Sequence, residues 1–525
     1  MNAAPESDIR APSDLSALLA RTRRAAPVLD RTITEFGSAT VAEYVGGLKP
    51  APAPSYQSRD DLLEVVHGLA ESLLSTDVAT RLCRQLDANP VVLTANHHGV
   101  DYFAQSVQGS LLFSMREVRG EPVSTVPIFA CSAVPLDNIT YPLGMLFYGL
   151  SRRTEPMPMR FPVFSNRNRR ALVHAAPGLD KSLCDRALGR LEKLSSEGEV
   201  ELAAVDAAKT IIRDVYAAPD VLGLDRYAAQ SVRINAEIWK RLFASDVVVP
   251  DLAYLEFEAI ARELVMRDLG NPQSLIFRLL LSESVRDYVV TTLDGQRACW
   301  KLDELGARLD GDFKGSGGGT VFFWGISAKG RRVPLTVSEH GGRSVLEGFD
   351  TQGEHWGIEL TADAIYDALA SGRLLPSLFT AFSAIGIARG VMCLGAYFQA
   401  EYLPMMQQTI CRALARGRTP TGRIDALQVV PTGGYLGGMQ TVMHPFSDGS
   451  NGWTPAGPLE IIAAGGLGAD DLATMRALSV RDAHLASMSE TAVDVAILPA
   501  GTNQDWRGAL ALELHTALPP NVVAR

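Results

Sequence analysis

The sequence predicts an α/β or α+β fold, on three observations. From Asp60 to Leu242, segments with helical apolar spacing alternate with short β-branched runs, the pattern of strands layered with helices. The composition, 47% hydrophobic and 21% charged, is that of a globular protein. At 525 residues the chain exceeds what one hydrophobic core usually organises. The expected division is a peripheral arm with a proline-rich linker over 1–55, a layered α/β domain over 56–247, and a mixed helical and β domain over 248–525. The last carries a small glycine-rich antiparallel insertion at about 309–353.

The arm opens with a short amphipathic helix, Leu15 to Arg24, and ends in Pro50-Ala51-Pro52-Ala53-Pro54, a stiff spacer. A helix begins at Asp60, where Leu62, Leu63, Val66, Leu69 and Leu73 share one face. A second, Val78 to Leu86, leads into a strand at Val91. Tyr102 to Ser114 reads as a helix, Thr125 to Cys131 as a buried strand and Phe161 to Phe164 as a short apolar piece. Helices follow over Asp180–Val215 and Leu224–Leu242, and another is expected from Leu252 to Met266. Helices return from Thr361 to about Gly417. The end of the chain reads as a strand at Ala426–Val430, a glycine-rich loop from Thr432 to Gly457, a helix at Asp470–Ser489 and a strand at Val493–Leu498.

Charge and cysteine usage exclude several function classes. A net charge of −10 argues against general nucleic-acid binding, which needs a basic face. The six cysteines form no C-x-x-C pair, which fits free thiols in a reducing, cytoplasmic setting. The longest apolar stretch, Leu374 to Met406, is interrupted by Arg389 and Glu401, so no membrane span of about 20 residues is expected. That stretch suits a buried helix pair or a homo-oligomer interface. There is no G-x-G-x-x-G at a strand–helix turn, no Walker loop and no nucleophile elbow, which leaves the cofactor unassigned.

The segment richest in chemistry is Asn96-His97-His98-Gly99-Val100-Asp101, where a β-branched run gives way to a helix. Functional groups of α/β proteins collect at such strand ends. His97 and Asp101, four apart, are expected to form a general-base dyad, with Asn96 as an oxyanion donor. A second reading makes His97, His98 and Asp101 ligands of zinc or iron, with His340, Asp350, Glu354 or His355 completing the shell. A third makes one histidine a helix cap or a backbone partner. Cys131, at a strand end, reads as a nucleophile or as a small buried hydrophobe. The run Lys314 to Thr320 reads as a flexible hairpin or flap. The loop Thr432–Gly457 is expected to wall the site with His444, Asp448 and Trp453, and Arg167 to meet an anionic substrate group.

The Asn96-His97…Asp101 spacing resembles the Asn-His-x4-Asp of glycerophosphate-type acyltransferases, with three intervening residues in place of four. Their Glu-Gly-Thr-Arg block is absent, since Glu197-Gly198 is followed by Glu199-Val200. His-x-x-x-Asp is also similar to the core of CoA-dependent plant acyltransferases and peptide-synthetase condensation domains, where glycine stands in place of Tyr102. The resemblances imply acyl transfer to a small amine or alcohol. The alternatives are a metal-dependent enzyme and a non-catalytic ligand-binding or scaffold protein.

Overall fold

The computed structural model describes residues 15–50, 55–150, 158–309, 318–350, 352–446 and 452–494, together with 514, 518 and 523–524. Its centre is an α/β arrangement around one parallel sheet. The strands are β1 (Val91–Leu93), β2 (Thr125–Ala130), β3 (Asp251–Glu256), β4 (Met392–Ala396) and β5 (Tyr435–Gly437), in the spatial order β5-β4-β1-β2-β3. Every neighbouring pair is parallel. The chain winds outward from β1 through β2 to β3, then returns to the other side of β1 for β4 and β5. The winding therefore reverses between β1 and β4.

Helices cover both faces, which is why these strands read as continuous apolar runs instead of alternating ones. On one face Val92, Phe129, Ala253 and Leu255 are buried in a single apolar cluster with helices α1 (Asp60–Leu73), α2 (Thr76–Ala88) and α5 (Phe257–Leu269). On the other, Val91, Leu93, Val126 and Ile128 meet Val107, Leu111 and Leu112 of α3 (Ala104–Ser114). Burial of each such aliphatic side chain contributes about 1.5–3 kcal/mol. Helices α4 (Tyr227–Arg241) and α6 (Gln399–Arg416) lead into and out of strands of the same sheet. No helix among the described residues is long and apolar enough to cross a membrane.

Several expectations need correction. Asp251–Glu256 is a strand, with the helix starting only at Phe257. Met392–Ala396 is a strand inside the region expected to be helical, so the apolar stretch from Leu374 places one central strand between the helical segments Leu378–Phe382, Ser383–Ile387 and Gln399–Arg416. Short apolar runs buried on both faces carry no period that separates strand from helix. Thr421–Gln428 is a helix where a strand was expected, and the strand comes later, at Tyr435–Gly437. Met488–Asp494 is helical, and residues 495–498 lie outside the described residues.

The sheet takes strands from both sides of residue 247. The described part of the arm is three helices, Leu15–Ala25, Pro27–Phe36 and Val41–Gly47, whose Leu18, Leu29 and Val45 are buried in the same cluster as Val91 and Leu93. Their amphipathic faces close one side of the core. The insertion is antiparallel, as expected. Phe323–Ile326 pairs with Arg332–Pro334 and Leu374–Pro376, and Thr336–His340, Arg343–Phe349 and His355–Glu359 form a second three-stranded sheet. Residues 310–317, including most of the glycine run, lie outside the described residues.

Candidate active site

In a doubly wound parallel sheet, ligands bind beyond the carboxyl ends of the strands where the winding reverses. Here that place is the end of β1, and Asn96, His97 and His98 stand there. Parallel pairing continues past the strand itself: Cys131 N–H donates to the Asn96 carbonyl at 3.0 Å and His98 N–H to the Cys131 carbonyl at 2.7 Å. The chain then turns at Gly99, whose φ is +119°; a Cβ there would lie 2.5 Å from Cβ of Pro142. The strand end, the turn and the following helix are thus fixed by backbone.

Asp101 does not orient a histidine. Its carboxylate accepts from the Ser106 hydroxyl at 2.6 and 2.7 Å, Phe103 N–H at 3.1 Å, Asn96 Nδ2 at 3.1 Å and Tyr254 O–H at 3.2 Å. Burial raises its pKa, with those hydrogen bonds opposing. The space beside it, about 20 Å³ between Val107, Asn235 and Tyr254, is too small for a substrate. Asp101 anchors the start of α3, a role that pattern alone does not separate from catalysis. Asn96 is likewise occupied, its Nδ2 also reaching the Ser110 hydroxyl at 3.4 Å and the Ser106 carbonyl at 3.5 Å, so it is not placed as an oxyanion donor.

The two histidines differ sharply. His98 is fully buried, and its Nε2 donates to the Ala228 carbonyl at 2.9 Å. That bond fixes the tautomer and leaves Nδ1 sealed without a partner among the described residues. His97 is half-buried. Its Nδ1 lies 3.1 Å from Oδ1 of Asn138. The same oxygen accepts from Thr140 N–H at 2.9 Å and its hydroxyl at 2.8 Å, while Asn138 Nδ2 donates to the Pro135 carbonyl. The amide orientation is therefore set, and His97 must donate from Nδ1. Its Nε2 carries the lone pair. Burial holds the ring below the ordinary histidine pKa, partly opposed by Asn138.

A second constellation, which no motif announces, stands at the same edge. Glu256 ends β3, and its Oε1 accepts from His174 Nδ1 and from the Ser132 hydroxyl, the latter at 2.7 Å. Glu258, in the first turn of α5, accepts from Ser132 N–H at 2.7 Å, Ala133 N–H at 3.1 Å and the Cys131 thiol at 3.0 Å. Burial alone would lower the His174 pKa, but the Glu256 charge and hydrogen bond raise it. Burial pushes Glu258 up. Burial and the Glu258 charge push the Cys131 thiol far up, so Cys131 is not a ready thiolate nucleophile. Apolar spacing puts Glu256 and Glu258 on the solvated face of the helix expected from Leu252 to Met266, so neither stands out from its position alone.

Arg167 is exposed, in the turn Asn166–Asn168, which lies next to the His97 partner because Asp137 N–H donates to the Arg169 carbonyl at 2.9 Å. His444 pairs with Glu201 at 2.8 Å. Trp453 stands opposite Pro445 in a hairpin that Gln108 of α3 fastens through the Val442 carbonyl, and it packs on the apolar cluster of that face. Asp448 lies outside the described residues. The insertion reaches the site: Trp324 and Ile326 pack against the cluster of Cys131, Ala133, Leu172 and Leu375.

Among the described residues no group of three or more His, Cys, Asp or Glu is arranged to hold a metal ion. His97, His98 and Asp101 diverge to Asn138, Ala228 and Ser106 respectively. A groove of about 770 Å³ opens at the opposite end of the sheet, along Leu73, Trp239 and Pro250. It has room for a small molecule, but among the described residues no histidine or cysteine lines it. The chain matches no protein-family model, and no curated protein or solved structure resembles it at a significant level.

Proposed function

We propose that this protein is an enzyme that transfers an acyl group to a small amine or alcohol, with His97 as general base. The observation that carries the reading is the His97–Asn138 bond at the switch point of the sheet. It holds a half-buried imidazole with Nε2 unprotonated, the form that takes a proton from an attacking N–H or O–H. Asn138 takes the orienting role expected of Asp101. Arg167, on the turn bonded to the Asp137–Asn138 segment, suits an anionic group of the donor. Trp324 and Ile326 supply an apolar cover beside Cys131.

The test is a panel of acyl thioesters offered with small amines and alcohols, with free thiol release as the readout. His97→Ala is expected to lower turnover about 100-fold or more. Full turnover in that variant would end the assignment of the base.

A further inference from the structure

We propose that His174 is the general acid of this site, acting opposite His97 as its base. This rests on the acyl-transfer reading above and adds the group that releases the leaving group. His174 lies in the short turn Val173–Ala175. Its backbone N–H donates to the Ser132 carbonyl at 3.2 Å, while the backbone at His97 is bridged to Cys131. The two histidines are therefore fastened to adjacent residues at the end of β2.

Each ring is held through Nδ1, and the two partners differ in charge. His97 meets the neutral amide of Asn138; His174 meets the carboxylate of Glu256. Glu256 is held on its other side by the Ser132 hydroxyl at 2.7 Å, whose oxygen also lies 2.9 Å from Glu258. The His174 side chain keeps 8% of its surface, and its Nε2 has no hydrogen-bond partner among the described residues. The charged and titratable groups around it are Glu256 on β3, Glu258 on α5, Arg226 just before α4 and His98 after β1. With a neutral amide behind one ring and a carboxylate behind the other, His97 suits the base and His174 the acid.

The step balances. As the nucleophile's N or O bonds to the acyl carbon, its proton passes to Nε2 of His97 and the carbonyl π pair moves to oxygen. When the carbonyl reforms, the bond from the acyl carbon to the leaving sulfur or oxygen breaks, and that atom takes the proton from Nε2 of the His174 imidazolium. His97 ends protonated and His174 neutral. One proton exchanged through water resets both, with no net gain or loss.

The experiment compares two donors with the same acyl group, an alkyl thioester and a nitro-aryl thioester whose thiolate leaves unaided. His174→Gln, checked for native melting, is expected to slow the alkyl donor about 100-fold while slowing the aryl donor less than tenfold. It should also remove the alkaline fall of the pH–rate profile. Glu256→Gln is expected to keep the acid but move that fall to lower pH, and to lower the His174 midpoint in an imidazole NMR titration of the full chain. Equal losses on both donors, or a His174 midpoint unmoved by Glu256→Gln, would overturn the proposal. If the wild type turns over neither these donors nor the wider panel, the acyl reading falls and takes the step with it. Normal wild-type turnover with an unchanged alkaline limb in His174→Gln removes His174 alone.

Discussion

The hydroxyl of Ser106 lies 2.6 and 2.7 Å from the two carboxylate oxygens of Asp101, one turn into the helix that Asp101 precedes. That relationship makes Asp101 the anchor of a helix start. It separates the one carboxylate near His97 in sequence from the chemistry expected of it.

Asp101→Ala is accordingly expected to act on stability first. It would remove the acceptor shared by the Ser106 hydroxyl, Phe103 N–H and Asn96 amide, at a cost of about 3 kcal/mol. Urea unfolding measures this. A variant with native stability and no turnover would restore Asp101 to a catalytic role.

His484 should make the fold sensitive to mild acid. Its ring is fully buried between the Val480 carbonyl at 2.7 Å and the Tyr435 hydroxyl at 3.0 Å, and burial lowers its pKa from 6.5 to about 4. Between those values the unfolded chain binds a proton that the folded ring refuses. The contribution of His484 is therefore full above pH 6.5 and lost as the pH falls toward 4, by on the order of 3 kcal/mol. Denaturation midpoints across that range, compared with His484→Gln, should show the variant losing this part of the slope. Parallel curves would contradict the assignment.

Arg389 is fully buried and bridges Asp268 at 2.9 Å and Asp61 of α1. Arg389→Met leaves two carboxylates without their counter-charge, and a loss of about 3–5 kcal/mol is expected from calorimetry or urea unfolding. A change below 1 kcal/mol would mean that water replaces the guanidinium easily.

Trp453→Ala distinguishes a wall of the site from a piece of the core. Because the indole packs on the cluster shared with Val91 and α3, a loss of about 2–3 kcal/mol is expected, with the folded fraction retaining turnover. Weakened substrate binding at unchanged stability would return Trp453 to the site.

The sequence by itself determined the α/β class, the strand at Val91, the helix after Asp101, the strand from Thr125 and the antiparallel insertion. Each rests on a local period or a local breaker, which the chain carries wherever it folds. It also placed His97 at a strand end. Tertiary structure alone decided which strands join β1. Asp251–Glu256 and Met392–Ala396 are apolar on both faces, and their identity as strands comes from the neighbours that supply their hydrogen bonds. It also decided the partners of the site. Asn138 reaches His97 across 41 positions and Glu256 reaches His174 across 82, distances over which no spacing rule holds. Asp101, four residues from His97, turned instead to the helix it begins. A nearby carboxylate serves the local backbone first, because a buried helix start needs acceptors for its free N–H groups.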